Sequence, residues 1–292
     1  MSNCNLCNHL CNIDRNYKLG FCLAPNKLVI AKAYLHKWEE PPISGRNGSG
    51  TIFFSYCNLR CVFCQNYQIS ALHTGKEVSI ERFSDICLEL QEKGATNINL
   101  VTPTHFVPLI IKGLRLAKSK GLNIPIVYNT SSYETVETIK SLDGLIDIYL
   151  PDLKYYDDNL AIKYSNAPNY FENASKVIKE MYSQVGKTVI KNGVMKKGMI
   201  VRHLILPSHI DDSKKIIEYL YGTYKNSIYI SIMSQYTPVK NTKYIELNHK
   251  ILYDEYEKII NYAYDLGIRN AFIQEEDSCL DSFIPKFDNE GI

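Results

Sequence analysis

Nine cysteines are the residues of this 292-residue chain best suited to chemistry, and seven of them, Cys4, Cys7, Cys11, Cys22, Cys57, Cys61 and Cys64, fall within its first 64 positions. An odd number of thiols at short spacings argues against a disulfide framework and for metal thiolates, because soft sulfur donors set close together are what thiophilic metals and iron–sulfur clusters take. Two groups separate. Cys57-x3-Cys61-x2-Cys64 has no fourth cysteine nearby. Three sulfurs can hold three irons of a [4Fe-4S] cube and leave the fourth iron without a protein ligand, which is a place for chemistry. The same spacing would also put three small hydrophobes on one helical face, but Asn58, Arg60 and the apolar strand before them do not suit a helix core.

Cys4-x2-Cys7-x3-Cys11 is followed, after ten intervening residues, by Cys22. This four-thiolate set could be a structural zinc site, a rubredoxin-type iron or a second iron–sulfur cluster, and its spacings echo ferredoxin runs; four unligated thiols are the inert alternative. His9 lies inside the set and could replace one ligand. Cys87, between Ile86 and Leu88 of an amphipathic run, reads as core, and Cys279, after four polar residues, as an inert thiol.

The elements that must carry these residues follow from the pattern. From position 46 onward, short β-rich apolar runs alternate with longer amphipathic stretches, the signature of repeated βα units with a parallel sheet. Strands are expected at 51–55, 97–101, 124–129, 146–150, 199–206 and 229–233. Helices are expected at 79–93, 105–120, 133–142, 171–185, 211–221 and 248–266, with Ser79 opening one and Gly94 and Gly121 closing two. The fold class is α/β, a partial (βα)6 open barrel. Polar residues cluster just past five of the strands: Cys57, then Thr102 and Thr104, then Asn129 and Thr130, then Asp152 and Lys154, then Gln235. Chemistry at strand carboxyl ends is what βα barrels use. The chain divides on this reading into a cysteine-rich head at 1–45, a barrel at 46–240 and a carboxyl-terminal helix and tail at 241–292. The Pro- and Gly-rich segment 39–50 reads as a linker, with Glu39 and Glu40 as solvated charges or substrate-facing acids.

Hydrophobic residues make up 45% and charged residues 22%, and 33 Lys plus Arg against 31 Asp plus Glu leave a formal charge of +2. That balance gives no electrostatic case for nucleic acid or an anionic membrane. No apolar run approaches the roughly 18 residues of a membrane span, and the first residues have no basic start or apolar stretch, so a cytoplasmic protein is expected.

The words around these residues narrow the reading. Cys-Asn-Leu-Arg-Cys-Val-Phe-Cys-Gln-Asn from position 57, Asn-Leu-Val-Thr-Pro-Thr-His-Phe from 99, Tyr-Asn-Thr-Ser from 128, Tyr-Leu-Pro-Asp-Leu-Lys from 149 and Val-Arg-His-Leu-Ile-Leu-Pro from 201 are specific words, and the resemblance they carry extends over nearly the whole chain. The chain resembles the radical SAM superfamily, and within it the pyruvate formate-lyase activating enzyme branch, in homologues with an extra amino-terminal cysteine segment. The resemblance implies that Cys57, Cys61 and Cys64 ligate a [4Fe-4S] cluster. S-Adenosylmethionine (SAM) would chelate the open iron and be cleaved to a 5′-deoxyadenosyl radical. Phe63 would pack near the adenine. Asp152 and Lys154 match an Asp-Leu-Lys motif whose acid serves a monovalent cation site and whose lysine approaches the SAM carboxylate. Asn129 and Thr130 match a pair lining that cation site, the first being an acid in the activating enzyme. Arg202 matches an arginine reaching the SAM pocket, and Gln235 sits near an expected histidine. Thr102-Pro103-Thr104 stands where Gly-Gly-Glu usually meets the SAM ammonium, so hydroxyls or carbonyls would take its place.

Implied partners are a glycyl radical enzyme and an electron donor such as flavodoxin or ferredoxin. The rival readings are radical modification of a small molecule or peptide with the head as an auxiliary metal centre, and a non-catalytic iron–sulfur electron carrier. Bland readings accompany the residues too: Asp152 with Lys154 as a surface ion pair, and Arg202 pointing outward. Arg202 and His203 alternate, so at most one of them faces the barrel interior.

Overall fold

A computed structural model describes residues 3–238, 242–274 and 285–292. Along the described chain the strands are β1 (Leu28–His36), β2 (Ser49–Phe54), β3 (Lys76–Val78), β4 (Ile98–Val101), β5 (Ile126–Thr130), β6 (Ile148–Pro151), β7 (Val189–Lys191), β8 (Val194–Leu204), β9 (Tyr229–Met233) and β10 (Ala271–Ile273). Every residue of β2, β4, β5 and β6 is buried, as strands clothed by helices on one face and a barrel core on the other must be. The sheet runs β10-β9-β8-β6-β5-β4-β2-β1-β3, with β7 paired to β8 alone. From β2 to β10 each neighbouring pair is parallel. The two ends do not meet, so the barrel is open.

The six expected strands are the six central ones, each beside the next in sequence. Three features add to them. The Ala271–Ile273 stretch becomes a seventh parallel strand, an identity that comes from its partner β9 because three residues carry no pattern of their own. β7 and the start of β8 form an antiparallel hairpin. β1, inside the cysteine-rich 1–45 segment, pairs antiparallel with β2; both its faces are largely buried, which erases the alternation that marks a strand.

The helices at Ile80–Glu92, Val107–Ser119, Tyr170–Val185, Ile210–Tyr224 and Tyr253–Leu266 answer to expected ones, and the short Val136–Lys140 turn to another. Ser79 caps the first by accepting the Arg82 N–H at 3.0 Å. The Asp158–Ser165 helix was not expected; Asp157 caps it, accepting from the Asn159 N–H at 2.8 Å. Cys87 is in the core. Cys279 lies outside the described residues. Among the described residues no helix is long and apolar enough to cross a membrane.

Candidate active site

Residues on or just after β4, β5, β6 and β8 gather with Glu39 into a buried polar network. Asp152, just after β6, takes the Lys154 ammonium on one oxygen at 2.6 Å and the Arg202 Nε on the other at 3.0 Å. Arg202, on β8, also donates through Nη1 to Glu39 at 3.1 Å and through Nη2 to the Asn129 carbonyl oxygen at 2.6 Å. Asn99 on β4 donates to the second Glu39 oxygen at 2.9 Å, and Asn129 reaches the same oxygen at 3.5 Å. This is no surface ion pair: the Asp152, Lys154 and Arg202 side chains are about 15% exposed. Its odd-numbered neighbour His203 faces the helices instead, touching Leu153 O and Ser213 Oγ, as alternation requires.

Burial alone would push the Asp152 carboxyl up, yet the Lys154 and Arg202 cations hold it below the ordinary carboxylate range. Burial likewise works against the Lys154 ammonium, and Asp152 with the Cys61 thiolate overcomes it. Glu39 and Glu40 stay raised by burial despite Arg202.

The cysteine loop hangs directly from β2. Cys57, Cys61 and Cys64 line one cavity of about 330 Å³ with Tyr67, Ser70 and Tyr244. The Asp158–Ser165 helix fixes the loop, since its carbonyls at Tyr164 and Ser165 accept the Val62 and Arg60 N–H groups at 2.8 and 3.1 Å and Ser165 Oγ lies 3.0 Å from Cys61 Sγ. Burial pushes the Cys61 thiol up to about 11 against the pull of Lys154, and raises Cys57 further, so a metal is what would keep these sulfurs as thiolates. Phe63 is buried against Tyr236, ring centroids 5.9 Å apart. Gln65 ties the loop to β9's end by donating to Gln235 O at 2.9 Å; the Gln235 amide itself is turned to Met233 Sδ. Tyr56, Thr102 and Ser132, which follow β2, β4 and β5, all have positive φ, at 70°, 57° and 60°. Side chains there cost about 1–3 kcal/mol each, a strain that collects at functional mouths.

Two expected cofactor contacts are placed otherwise. Thr104 and Thr130 donate their hydroxyls to Glu134, which also lies 3.4 Å from the Tyr128 hydroxyl. Thr130 is one residue from Asn129, so it faces the opposite side of β5, toward the helices. Thr102 remains at the mouth, its N–H bonded to Asn129 O at 2.9 Å. The segment expected to be a solvated linker is instead packed: Ile43 and Ser44 of the short Pro41–Ser44 helix are buried, and Glu39 points into the network. Asn99 and Glu134 escaped sequence reasoning, and Glu39 was left open between a solvated charge and a substrate-facing acid. Asn99 had a signal, a polar residue at an inward position of an apolar strand; acids before a Pro pair had none.

The head packs against this mouth. Asn8 N–H donates to Tyr133 O at 3.1 Å, Cys7 bridges Glu134, and Arg15 is anchored on the His105 carbonyl. His9, expected as a possible replacement for one thiolate, stacks its ring on Phe21 at 3.6 Å, and its Nε2 lies 2.8 Å from Asn58 O. Among the described residues no three His, Cys, Asp or Glu side chains converge as ligands of one ion. A separate hollow of about 390 Å³, lined by Asp157, His209, Asp211, Asp212 and Glu255 among others, includes none of the expected site residues.

Residues 51–220 match the family profile described as the radical SAM superfamily. The chain is 31% identical over 276 residues to "Uncharacterized protein MJ0674" of Methanocaldococcus jannaschii, covering 89% of this chain and 74% of that one. It is 25% identical over 265 residues to the pyruvate formate-lyase-activating enzyme of Clostridium pasteurianum, covering 86% of this chain and 96% of that one. Among solved structures, Streptococcus suis SuiB bound to precursor peptide SuiA superposes with a TM-score of 0.48 at 14% identity, covering 75% of this chain, which spans 47% of SuiB.

Proposed function

Because this chain belongs to the radical SAM superfamily, whose members use a [4Fe-4S] cluster and SAM, we propose that it cleaves SAM reductively at Cys57, Cys61 and Cys64 to oxidise a substrate C–H bond. The first candidate substrate is a backbone glycine of a partner protein. The donor set fits the cluster, with three thiols facing one cavity and no fourth cysteine among its lining residues. Bound there, a cluster and SAM would supply the one-electron chemistry for removing a hydrogen atom from the substrate.

The chain's own residues do the positioning. The single observation that carries the reading is the buried Asp152–Lys154–Arg202 group beside the cysteine loop. Asp152 holds two cations in fixed places, which suits them to receive the carboxylate of an amino-acid ligand without first paying to order long side chains. Lys154, close enough to be felt by the Cys61 thiol, is the residue we assign to that carboxylate. Phe63 with Tyr236 offers a flat apolar wall for the adenine. Where activating enzymes carry an acid, Asn129 is neutral, and Glu39 brings the missing charge from another element. The alignment with the C. pasteurianum enzyme along nearly its whole length favours the glycine substrate over a small molecule. A carrier that only shuttles electrons would have no use for this buried network. Reduced thiols in such number favour the cytoplasm, with a flavodoxin- or ferredoxin-class donor.

The test is anaerobic incubation of the reconstituted, reduced protein with SAM and candidate partners whose glycines carry deuterium at Cα. Deuterium in 5′-deoxyadenosine with a persistent protein radical in electron paramagnetic resonance (EPR) supports the glycine reading. SAM cleavage that transfers deuterium only from a peptide or small molecule would replace it.

A further inference from the structure

Residues 3–26 contain no helix or strand beyond the Cys7 bridge. Ala24 is their only buried apolar residue, while Leu10 is 58%, Tyr17 87% and Leu19 58% exposed. A segment with so little core needs another source of order. Its backbone winds round the thiols instead. Cys4 N–H donates to Ile13 O at 2.7 Å and Asn12 N–H to Cys4 O at 3.0 Å, Leu10 N–H returns to Cys7 O at 3.0 Å, and Phe21 N–H points at Cys11 Sγ at 3.4 Å. Asn3, Leu10, Asn12 and Leu23 all take positive φ without being glycine, a cost these tight turns accept. Asn12 adjoins Cys11 and Phe21 adjoins Cys22, so the bonds from Asn12 to Cys4 and from Phe21 to Cys11 bring Cys4, Cys11 and Cys22 together.

The place of this set is as informative as its make-up. His9 Nε2 meets Asn58 O at 2.8 Å, and Arg60 Nη2 donates to Phe21 O at 2.6 Å while its guanidinium lies over the Phe21 ring. Two residue steps, about 7 Å when extended, lead from Cys7 to His9, and Asn58 adjoins Cys57. One hydrogen bond therefore joins the two cysteine loops. We propose that Cys4, Cys7, Cys11 and Cys22 hold a second iron–sulfur cluster that passes single electrons to the centre at Cys57, Cys61 and Cys64 across the His9–Asn58 contact. A ferredoxin- or flavodoxin-class reductant loses one electron, the head gains it and returns to its oxidised state on passing it inward; no bond forms or breaks. A closed zinc would order the segment equally well but gives no reason for the contact with the redox loop. The direction of transfer rests on the function proposed above; the existence of the head cluster does not.

The experiment counts iron, acid-labile sulfide and zinc in anaerobically purified full-length proteins and records EPR after reduction. The unaltered chain should carry about eight irons, the Cys57→Ala/Cys61→Ala/Cys64→Ala variant about four, and the Cys7→Ser/Cys22→Ser variant about four that respond to SAM. If the head variant does not fold, the first two still decide. In the reduced unaltered chain the two signals should broaden each other by spin–spin coupling. Four irons in the unaltered chain, stoichiometric zinc, no iron in the barrel variant or two magnetically independent signals would each overturn the proposal. Loss of SAM cleavage with a head cluster intact would strike only the function proposed for the barrel.

Discussion

The barrel thiols and the head thiols are held by different means. Cys57, Cys61 and Cys64 follow a strand buried at every residue and bonded to β1 on one side and β4 on the other, and the Asp158–Ser165 helix clamps their loop. The head thiols sit on an irregular segment with one buried apolar side chain. The fold thus presents the first set whether or not a metal is bound, while the second becomes a site through whatever it binds. Stability and reactivity should therefore separate between the two regions.

The largest effect expected is on activity. Replacing any one of Cys57, Cys61 and Cys64 with Ala should remove SAM cleavage to background, read as 5′-deoxyadenosine by chromatography. Thermal unfolding of the barrel should change by no more than about 1–2 kcal/mol, since each thiol is a small, partly exposed side chain. Chelation or oxidative metal loss should do the reverse to the head. Cleavage by a protease within 3–26 should accelerate at least tenfold while the barrel fragment persists, and equal protection with and without metal would remove the distinction.

Next in size is the buried network. Arg202→Met leaves the buried Glu39 without its cation and Asp152 with Lys154 alone, at a cost of about 3–5 kcal/mol in unfolding, and should weaken SAM binding about 10- to 100-fold by calorimetry. Glu39→Gln keeps the hydrogen-bonding shape and should cost SAM binding only a few-fold. If both variants bound SAM like the unaltered chain, the network would be structural alone.

The smallest effect has a sign that depends on pH. Burial raises Glu40, and its Oε2 has no hydrogen-bond partner. A carboxyl whose folded pKa lies above its unfolded value lowers stability as pH rises through the folded value, because the unfolded chain then releases its proton more readily. Glu40→Gln should therefore stabilise by about 1 kcal/mol at neutral pH, and the gain should vanish as pH falls below the ordinary carboxylate range. Asp152, held low by its cations, behaves oppositely: its contribution is present above its unfolded pKa and is lost as pH falls through the folded one. A stabilisation by Glu40→Gln that did not vary with pH would point to packing as its cause.

Much of this was legible because cysteine spacing and strand-end chemistry are local. The loop at 57–64 and the six parallel strands follow from runs and spacing that a single chain displays, whereas alternation allowed only one of Arg202 and His203 to face inward and the resemblance pointed to Arg202. Thr130 was read with Asn129 as lining the cation site, although its parity against Asn129 on one strand puts the two on opposite faces. The place of Glu39 was not legible, because only three-dimensional return of the chain buries it. The Pro41–Ser44 turn ends at Gly45, whose φ of +57° and close approach to Thr96 leave no room for a side chain, and that return delivers Glu39 to Arg202. Glu134 was hidden for the same reason: its partners lie on β5 and in the turn after β4, and no periodicity links them. The Asp158–Ser165 helix was lost to brevity, though Asp157 is an ordinary capping residue.

The most direct measurement of the central claim is stoichiometric. Anaerobically reconstituted protein, reduced with dithionite and given SAM, should yield methionine and 5′-deoxyadenosine in equal amounts, with neither formed by the protein lacking Cys57, Cys61 and Cys64. A fully loaded, reducible cluster that leaves SAM intact, or cleavage that survives loss of those three thiols, would contradict it.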